Sequence, residues 1–259
     1  MQNQQPSTLK EIRVHGTQDF PCAFYQTGTR IRGNMVKHHW HEEVELLYFS
    51  GGEFCLEINM ERFEISEECF YFINPGELHS ISVEKNGGCV ENAVVFHMDM
   101  LSSAYALDQI QTNLIQPVQN GSIQFPRCLR KNEPAFEPVR KSYEEIRNVF
   151  GGDSFRDNYY DGEAVTDDIT RQLFIKSALL RILAVLSANN LFEVTEKNHD
   201  HRIETIKTTL TYIQENYKEK IYIRDLAGLI GMNEQYFCRF FKKVIGRSPM
   251  EYVNEYRIK

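Results

Sequence analysis

Apolar residues fall in short runs through the first hundred positions and then switch to a spacing of three and four after about residue 133. The runs Val44–Phe49, Phe54–Ile58, Phe63–Ile65, Cys69–Ile73, His79–Val83 and Ala93–His97 are rich in β-branched and aromatic residues. Gly51–Gly52, Asn59–Met60, Pro75–Gly76 and Gly87–Gly88 lie between them and supply turn chemistry. Many short strands at this spacing predict a small antiparallel barrel or jelly roll between about Phe20 and Met98.

The helical spacing begins with Phe136, Val139, Tyr143, Ile146 and Val149, which predict a helix over Ala135–Val149. Gly151–Gly152 breaks it, and the acidic, tyrosine-bearing stretch Asp153–Thr166 reads as a loop. A second helix follows over Asp167–Ala188. Its apolar residues Ile169, Leu173, Phe174, Leu180, Leu183, Ala184 and Leu186 cover more than half the circumference, so it needs partners on two sides. The barrel is expected on one side. The other is left to a second copy of the chain or to burial within the same chain. Phe192–Arg202 has no apolar period and reads as a linker, with His199 and His201 solvated. Ile203, Ile206, Leu210, Ile213 and Tyr217 then predict a third helix.

Two short helical patterns joined at Gly231 occupy Ile221–Pro249. Ile223, Leu226, Ala227 and Ile230 give the first an apolar face, and Phe237, Phe240, Phe241 and Val244 give the second its buried stripe. Asn233 suits an N-cap, Gly246 a left-handed C-terminal stop, and Ser248–Pro249 the start of a further helix. This is the pattern of a helix-turn-helix, whose second helix would point Glu234, Gln235, Cys238, Arg239 and Lys242 outward. Two core helices of a larger helical domain would show the same periodicity.

Composition narrows these readings. The 259 residues are 42% hydrophobic and 25% charged, as in a folded protein of two ordinary domains. The formal charge of −7 excludes a protein that coats nucleic acid along its whole surface, yet Ile203–Lys259 holds ten Lys/Arg against seven Asp/Glu. DNA contact confined to the C-terminal end is compatible with that asymmetry. The N-terminus lacks the apolar stretch of a signal peptide and no run reaches membrane-spanning length, so a cytoplasmic location is expected. Six scattered cysteines without a CxxC pair suit free thiols.

Leu226–Ala227, Gly231–Met232, Tyr236–Phe237, Arg239, Phe241–Lys242–Lys243, Gly246, Ser248–Pro249, Tyr252 and Arg257 resemble the first helix-turn-helix of the AraC/XylS family of transcription regulators. In the family's pattern a bridging helix leads to a second such motif. Here the bridge begins at Met250–Arg257, and the chain is expected to be a fragment of a longer protein. The resemblance places base-reading positions at Gln235, Cys238 and Arg239 and phosphate contacts at Lys242 and Lys243, with Glu234 beside them.

Farther upstream, Gly33, His39, His41, Glu45 and Gly52 are similar in spacing to the first motif of the cupin superfamily, and His79 sits where the second motif's histidine would. That second motif is degraded, with Glu68 and Asn74 in place of its glycine and proline. The resemblance implies an α+β chain. A cupin barrel would occupy residues 1–132, a helical dimerisation segment 133–192, a linker 193–202 and a DNA-binding unit 203–259. It implies a homodimer that binds double-stranded DNA and responds to a small-molecule effector, a sugar among the family's candidates. His39, His41, Glu45 and His79 would line the effector pocket, with no cofactor required and no catalysis expected. In metal-binding cupins the same four positions hold a divalent ion. The competing reading is therefore a metal-dependent oxygenase or isomerase, which would leave Ile203–Lys259 without a role. His38 and Trp40, alternating with the two histidines, are expected at the surface or rim.

Overall fold

The computed structural model describes residues 14–29, 33–83, 89–105, 108–151, 162–195 and 201–257. Eight strands come first: β1 (Cys22–Thr29), β2 (Gly33–His39), β3 (Val44–Phe49), β4 (Phe54–Ile58), β5 (Glu61–Ile65), β6 (Cys69–Ile73), β7 (His79–Val83) and β8 (Cys89–Phe96). Four short ones follow: β9 (Ile123–Gln124), β10 (Cys128–Arg130), β11 (Gly162–Ala164) and β12 (Glu193–Val194). One antiparallel sheet has the order β10-β6-β3-β8-β1-β11, and a second has the order β2-β7-β4-β5. The second sheet covers one face of the first, which gives the predicted jelly roll.

The uninterrupted apolar runs have a structural reason. On the six-stranded sheet Leu47, Phe49, Tyr71, Ile73, Ala93 and Val95 face inward onto Phe54, Leu56, Ile58, Ile81 and Val83 of the smaller sheet. Leu46, Tyr48, Phe70, Phe72, Val94 and Phe96 face the other way, onto helices. A sheet buried on both faces loses its alternation. The β4–β5 turn puts both Asn59 (φ 49°) and Met60 (φ 71°) in the left-handed region, as a two-residue hairpin turn of this hand requires.

The outer helical layer is α2 (Phe136–Val149) and α3 (Ile169–Ala188), preceded by the short α1 (Gln116–Gln119). Tyr143 of α2 sits between Tyr48, Phe70 and Phe24 with no exposed surface. Helix α3 has two apolar faces. Ile175, Ala178, Leu179, Ile182, Leu183 and Leu186 are buried within the chain, whereas Ile169, Leu173, Phe174 and Leu180 are 73%, 63%, 60% and 42% exposed. Leu183 thus belongs to the inner face and not to the free one.

Two expected irregular segments carry structure. In the stretch Asp153–Thr166, Gly162–Ala164 pairs with β1, while residues 152–161 lie outside the described residues. In the expected linker, Glu193–Val194 pairs with Gln124 and Ile123, and α4 (His201–Asn216) already begins at His201. His199 lies outside the described residues. Strands this short carry no sequence period of their own, because the partner strand creates them.

After α4 come α5 (Ile223–Leu229), α6 (Glu234–Ile245) and α7 (Pro249–Arg257). Gly231 (φ 64°) makes the turn, the Asn233 side chain accepts from Gln235 N–H at 2.9 Å, and Gly246 (φ 80°) ends α6. Ser248 and Glu251 cap α7 reciprocally, Glu251 accepting from Ser248 N–H at 2.7 Å and Ser248 Oγ from Glu251 N–H at 3.3 Å. The buried stripe of α6 is Phe237, Phe241 and Ile245. Phe240 and Val244, expected within it, are half-buried on its flank. Cys238, expected outward, is half-buried against the same core. Among the described residues no helix is long and apolar enough to cross a membrane.

Candidate functional site

His39 ends β2, His41 lies in the following turn, Glu45 is on β3 and His79 opens β7. The three N-terminal residues do not share one regular strand as the period of two suggested. They meet because β2 and β3 belong to different sheets and the chain folds over between them. One ligand atom from each of the four lies within 4.8 Å of the others, so the set does converge.

All three imidazoles are oriented alike. Nδ1–H of His39 donates to Lys37 O at 2.8 Å, that of His41 to Glu43 O at 3.1 Å and that of His79 to Glu77 O at 2.9 Å. A carbonyl only accepts, so Nδ1 carries the proton and Nε2 is left for the cluster. Nε2 of His79 and of His41 stand 2.9 and 3.3 Å from Glu45 Oε2. Two acceptors at that separation need a proton or a cation between them. Burial, then the neighbouring His79, holds the His39 imidazole well below its ordinary range and so neutral. Burial alone would push Glu45 up. Contacts with His41 and His79 prevail and hold its carboxyl well below the usual range. Deeper in the barrel the buried Glu91 is pushed well above that range by desolvation and by the charge of Glu45. Three imidazoles fixed by backbone carbonyls and one carboxylate form a donor set of the kind that holds a divalent cation.

The loop Asn74–His79 is built around Glu77. Its carboxylate accepts from Asn74 N–H at 2.8 Å, Asn59 Nδ2 at 3.2 Å and Arg127 through two bonds at 2.7 and 2.5 Å. Arg127 also donates to Phe72 O at 2.9 Å. Asn59 in turn accepts from Leu78 N–H at 3.1 Å. These bonds tie the β4–β5 turn, the histidine-bearing loop and the approach to β10 into one unit. Arg127 lies fifty residues from Glu77, so no local motif announces the pair.

Trp40 and Leu78 are not at a free rim. Both pack into the C-terminal helical core with Ile206, Leu210 and Phe237, and Leu78 is 2% exposed. Lys207 Nζ of α4 lies 4.8 Å from the centroid of the Trp40 ring. His38, also expected at the rim, bonds Glu57 at 3.1 Å. Beside this contact a cleft of about 820 Å³ separates the β4–β5 hairpin from α6. Glu57, Asn59, Met60 and Glu61 line one wall, and Arg202, Tyr236, Arg239, Phe240, Lys243 and Val244 line the other. Of the residues expected to face DNA, Arg239 and Lys243 therefore look into the cleft. Glu234, Gln235 and Lys242 are exposed.

Comparisons with known proteins follow this division. The family model of the AraC-like ligand binding domain matches residues 24–146, and that of bacterial regulatory helix-turn-helix proteins, AraC family, matches residues 213–254. The uncharacterized HTH-type transcriptional regulator YdeC of Bacillus subtilis (strain 168) is 27% identical over 258 residues, covering 96% of this chain and 80% of YdeC. Among solved structures, ToxT from Vibrio cholerae is 10% identical with a TM-score of 0.39, covering 91% of this chain and 98% of that one. The AraC-like transcriptional activator CuxR is 9% identical with a TM-score of 0.38, covering 94% of this chain and 78% of that one.

Proposed function

The chain belongs to the AraC/XylS type of transcription regulator, with an AraC-like ligand-binding domain ahead of its helix-turn-helix, and on that premise we propose how a signal in the barrel reaches DNA. Its function is ligand-responsive, sequence-specific DNA binding. One observation carries the proposed route. Trp40 stands between His39 and His41, and Leu78 precedes His79, so the same two backbones hold the cluster inside the barrel and the anchors of the C-terminal core outside it. Whatever occupies the cluster moves those backbones, and with them the seat of α4. An effector acts to the extent that it binds one of the two arrangements more tightly.

Arg239 and Lys243 share the lining of the cleft with Glu57 and Glu61, so the hairpin stands across from the face that would meet a duplex. DNA binding then requires the helical unit to swing away from the hairpin about the Trp40–Leu78 contact. In the open state Arg239 and Gln235 read base edges, while Lys242 and Lys243 meet phosphates. Arg239→Ala in the full chain is expected to cost about 1–3 kcal/mol of binding and to relax preference at one base pair. Gel shifts on the upstream region of its own operon, repeated over a range of salt, measure both. Unchanged affinity and preference in a folded variant would remove α6 as the reader.

The cluster fits a divalent first-row cation, which His39, His41, Glu45 and His79 would hold through three Nε2 atoms and a carboxylate. Such an ion would supply a Lewis-acidic docking point for an oxygen of the effector. The chain's own contribution is to fix each Nδ1–H on a backbone carbonyl, so that Nε2 is aimed inward. Elemental analysis of the purified protein should find close to one equivalent of metal, lost in His79→Ala. Metal-free protein from metal-supplemented cultures would return the four residues to a pocket without an ion.

The free face of α3 is proposed to pair with a second copy. Ile169, Leu173, Phe174 and Leu180 form an apolar stripe with nothing over it among the described residues. Phe174→Glu with Leu180→Glu is expected to give monomers, because a carboxylate at an apolar interface is costly to desolvate. Sedimentation compares the two forms, and a parent protein that is monomeric at micromolar concentration refutes the dimer. Acting on DNA fits a cytoplasmic location.

A further inference from the structure

The strand pair β6–β10 brings two cysteines together at the edge of the barrel core. Cys128 lies opposite Tyr71, and Arg130 lies opposite Cys69. Phe72 N–H donates to Arg127 O at 3.2 Å, which makes the next rung, Cys128 with Tyr71, a non-hydrogen-bonded one. Side chains approach closest at such rungs, and the right-handed twist draws one diagonal pair together. Here that diagonal is Cys69 with Cys128. Cys69 is 6% exposed, Cys128 is half-exposed, and both are free thiols.

The two thiols are unequal. Cys128 is held below the ordinary thiol range, first by the hydrogen bond from Cys69, and also by Tyr71 and Arg130 against the effect of burial. Cys69 is pushed up by the same contact and by burial. A partly exposed cysteine whose thiol is held below its ordinary range, beside a shielded second thiol, is the arrangement of an attacking and a resolving cysteine. Strand β10 is three residues long and lies at the sheet edge, so it can shift to meet disulfide geometry.

We propose that Cys69 and Cys128 form a peroxide-oxidised dithiol site that closes to a reversible disulfide between β6 and β10. The Cys128 thiolate attacks one oxygen of a hydroperoxide. The O–O bond breaks, hydroxide (or alkoxide) leaves and takes up a proton, and Cys128 becomes a sulfenic acid. The Cys69 sulfur, losing its proton, then attacks the Cys128 sulfur, the S–S bond forms and water leaves. Two thiols lose two electrons, and one hydrogen peroxide becomes two waters. The bond would form one residue from Arg127, the partner of Glu77 in the loop that carries Leu78 and His79. Oxidation at this edge would therefore act beside the route between barrel and helical unit.

The test uses the full native chain and a few equivalents of hydrogen peroxide, followed by alkylation and peptide mapping by mass spectrometry. The expected product is a cross-linked pair of peptides containing Cys69 and Cys128, two hydrogens lighter than their sum and restored by dithiothreitol. Before oxidation, Cys128 should be alkylated before Cys22, Cys55, Cys69 and Cys238. In Cys69→Ser, peroxide should leave Cys128 as a sulfenic acid that dimedone captures. The native mapping stands by itself if that variant does not fold. The proposal is overturned if both thiols remain fully alkylatable after peroxide has consumed another cysteine. Oxidation of Cys128 to sulfinic acid in the native chain, with no cross-link, overturns it equally.

Discussion

Arg127→Met is expected to lower the unfolding free energy by about 2–4 kcal/mol, the range for a buried ion pair that loses one partner, reduced because Arg127 is partly exposed. The Glu77 side chain is 7% exposed and would keep its charge in the barrel wall with only Asn74 N–H and Asn59 left to satisfy it. Phe72 O would also lose a donor. Urea denaturation measures the loss as a shift in midpoint at unchanged slope. Glu77→Gln in the Arg127→Met background should recover part of it, because the unpaired charge is then gone. A single variant as stable as the parent would mean that the loop Asn74–His79 is held by its turn and not by this pair.

Leu78→Ala is expected to cost about 2–3 kcal/mol, the lower part of the span for a buried leucine, and to do so mainly at the contact between barrel and helices. Leu78 leaves the barrel wall and enters a cluster made by Ile206, Leu210, Ile213, Phe237 and Phe241. Its removal opens a cavity that α4 fills only by moving. Scanning calorimetry should show the parent unfolding in one transition and the variant in two, the helical unit melting first. Trp40→Ala, which also removes the cation–π partner of Lys207, should act in the same direction. If Leu78→Ala keeps a single transition while lowering its midpoint, the two units share their stability through other contacts. The route through Trp40 and Leu78 would then have to be abandoned.

Both predictions concern residues that a pattern reading passes over or misplaces. Trp40 alternates with His39 and His41, and alternation alone sends it outward, which is correct. Whether outward means water or another domain depends on where α4 lies, some 160 positions later in the chain. Leu183 shows the same limit. It belongs to the apolar circumference of α3, but only the position of α2 decides that it faces inward while Leu180 does not. Phe240 and Val244 similarly satisfy the helical period of α6 yet sit on the flank that lines the cleft.

What the amino-acid order determines by itself is local. Asn233, Gly231, Gly246 and Ser248–Pro249 mark the helix-turn-helix, because caps and left-handed stops act within one turn of backbone. The runs from Val44 to Phe49 and from Cys69 to Ile73 declare buried strands because apolar content accompanies burial whichever sheet they join. The spacing of His39, His41, Glu45 and His79 marks a candidate site. Only tertiary structure decided that His39 reaches Glu45 from a different sheet and His41 from the turn between them, and that Arg127 closes on Glu77. It alone set Cys128 beside Cys69 and turned Arg239 toward Glu57 and Glu61 across a cleft. Each of these is a meeting of segments far apart in the chain. Such contacts leave no period in either segment, because the partner that stabilises them is supplied only when the whole chain folds.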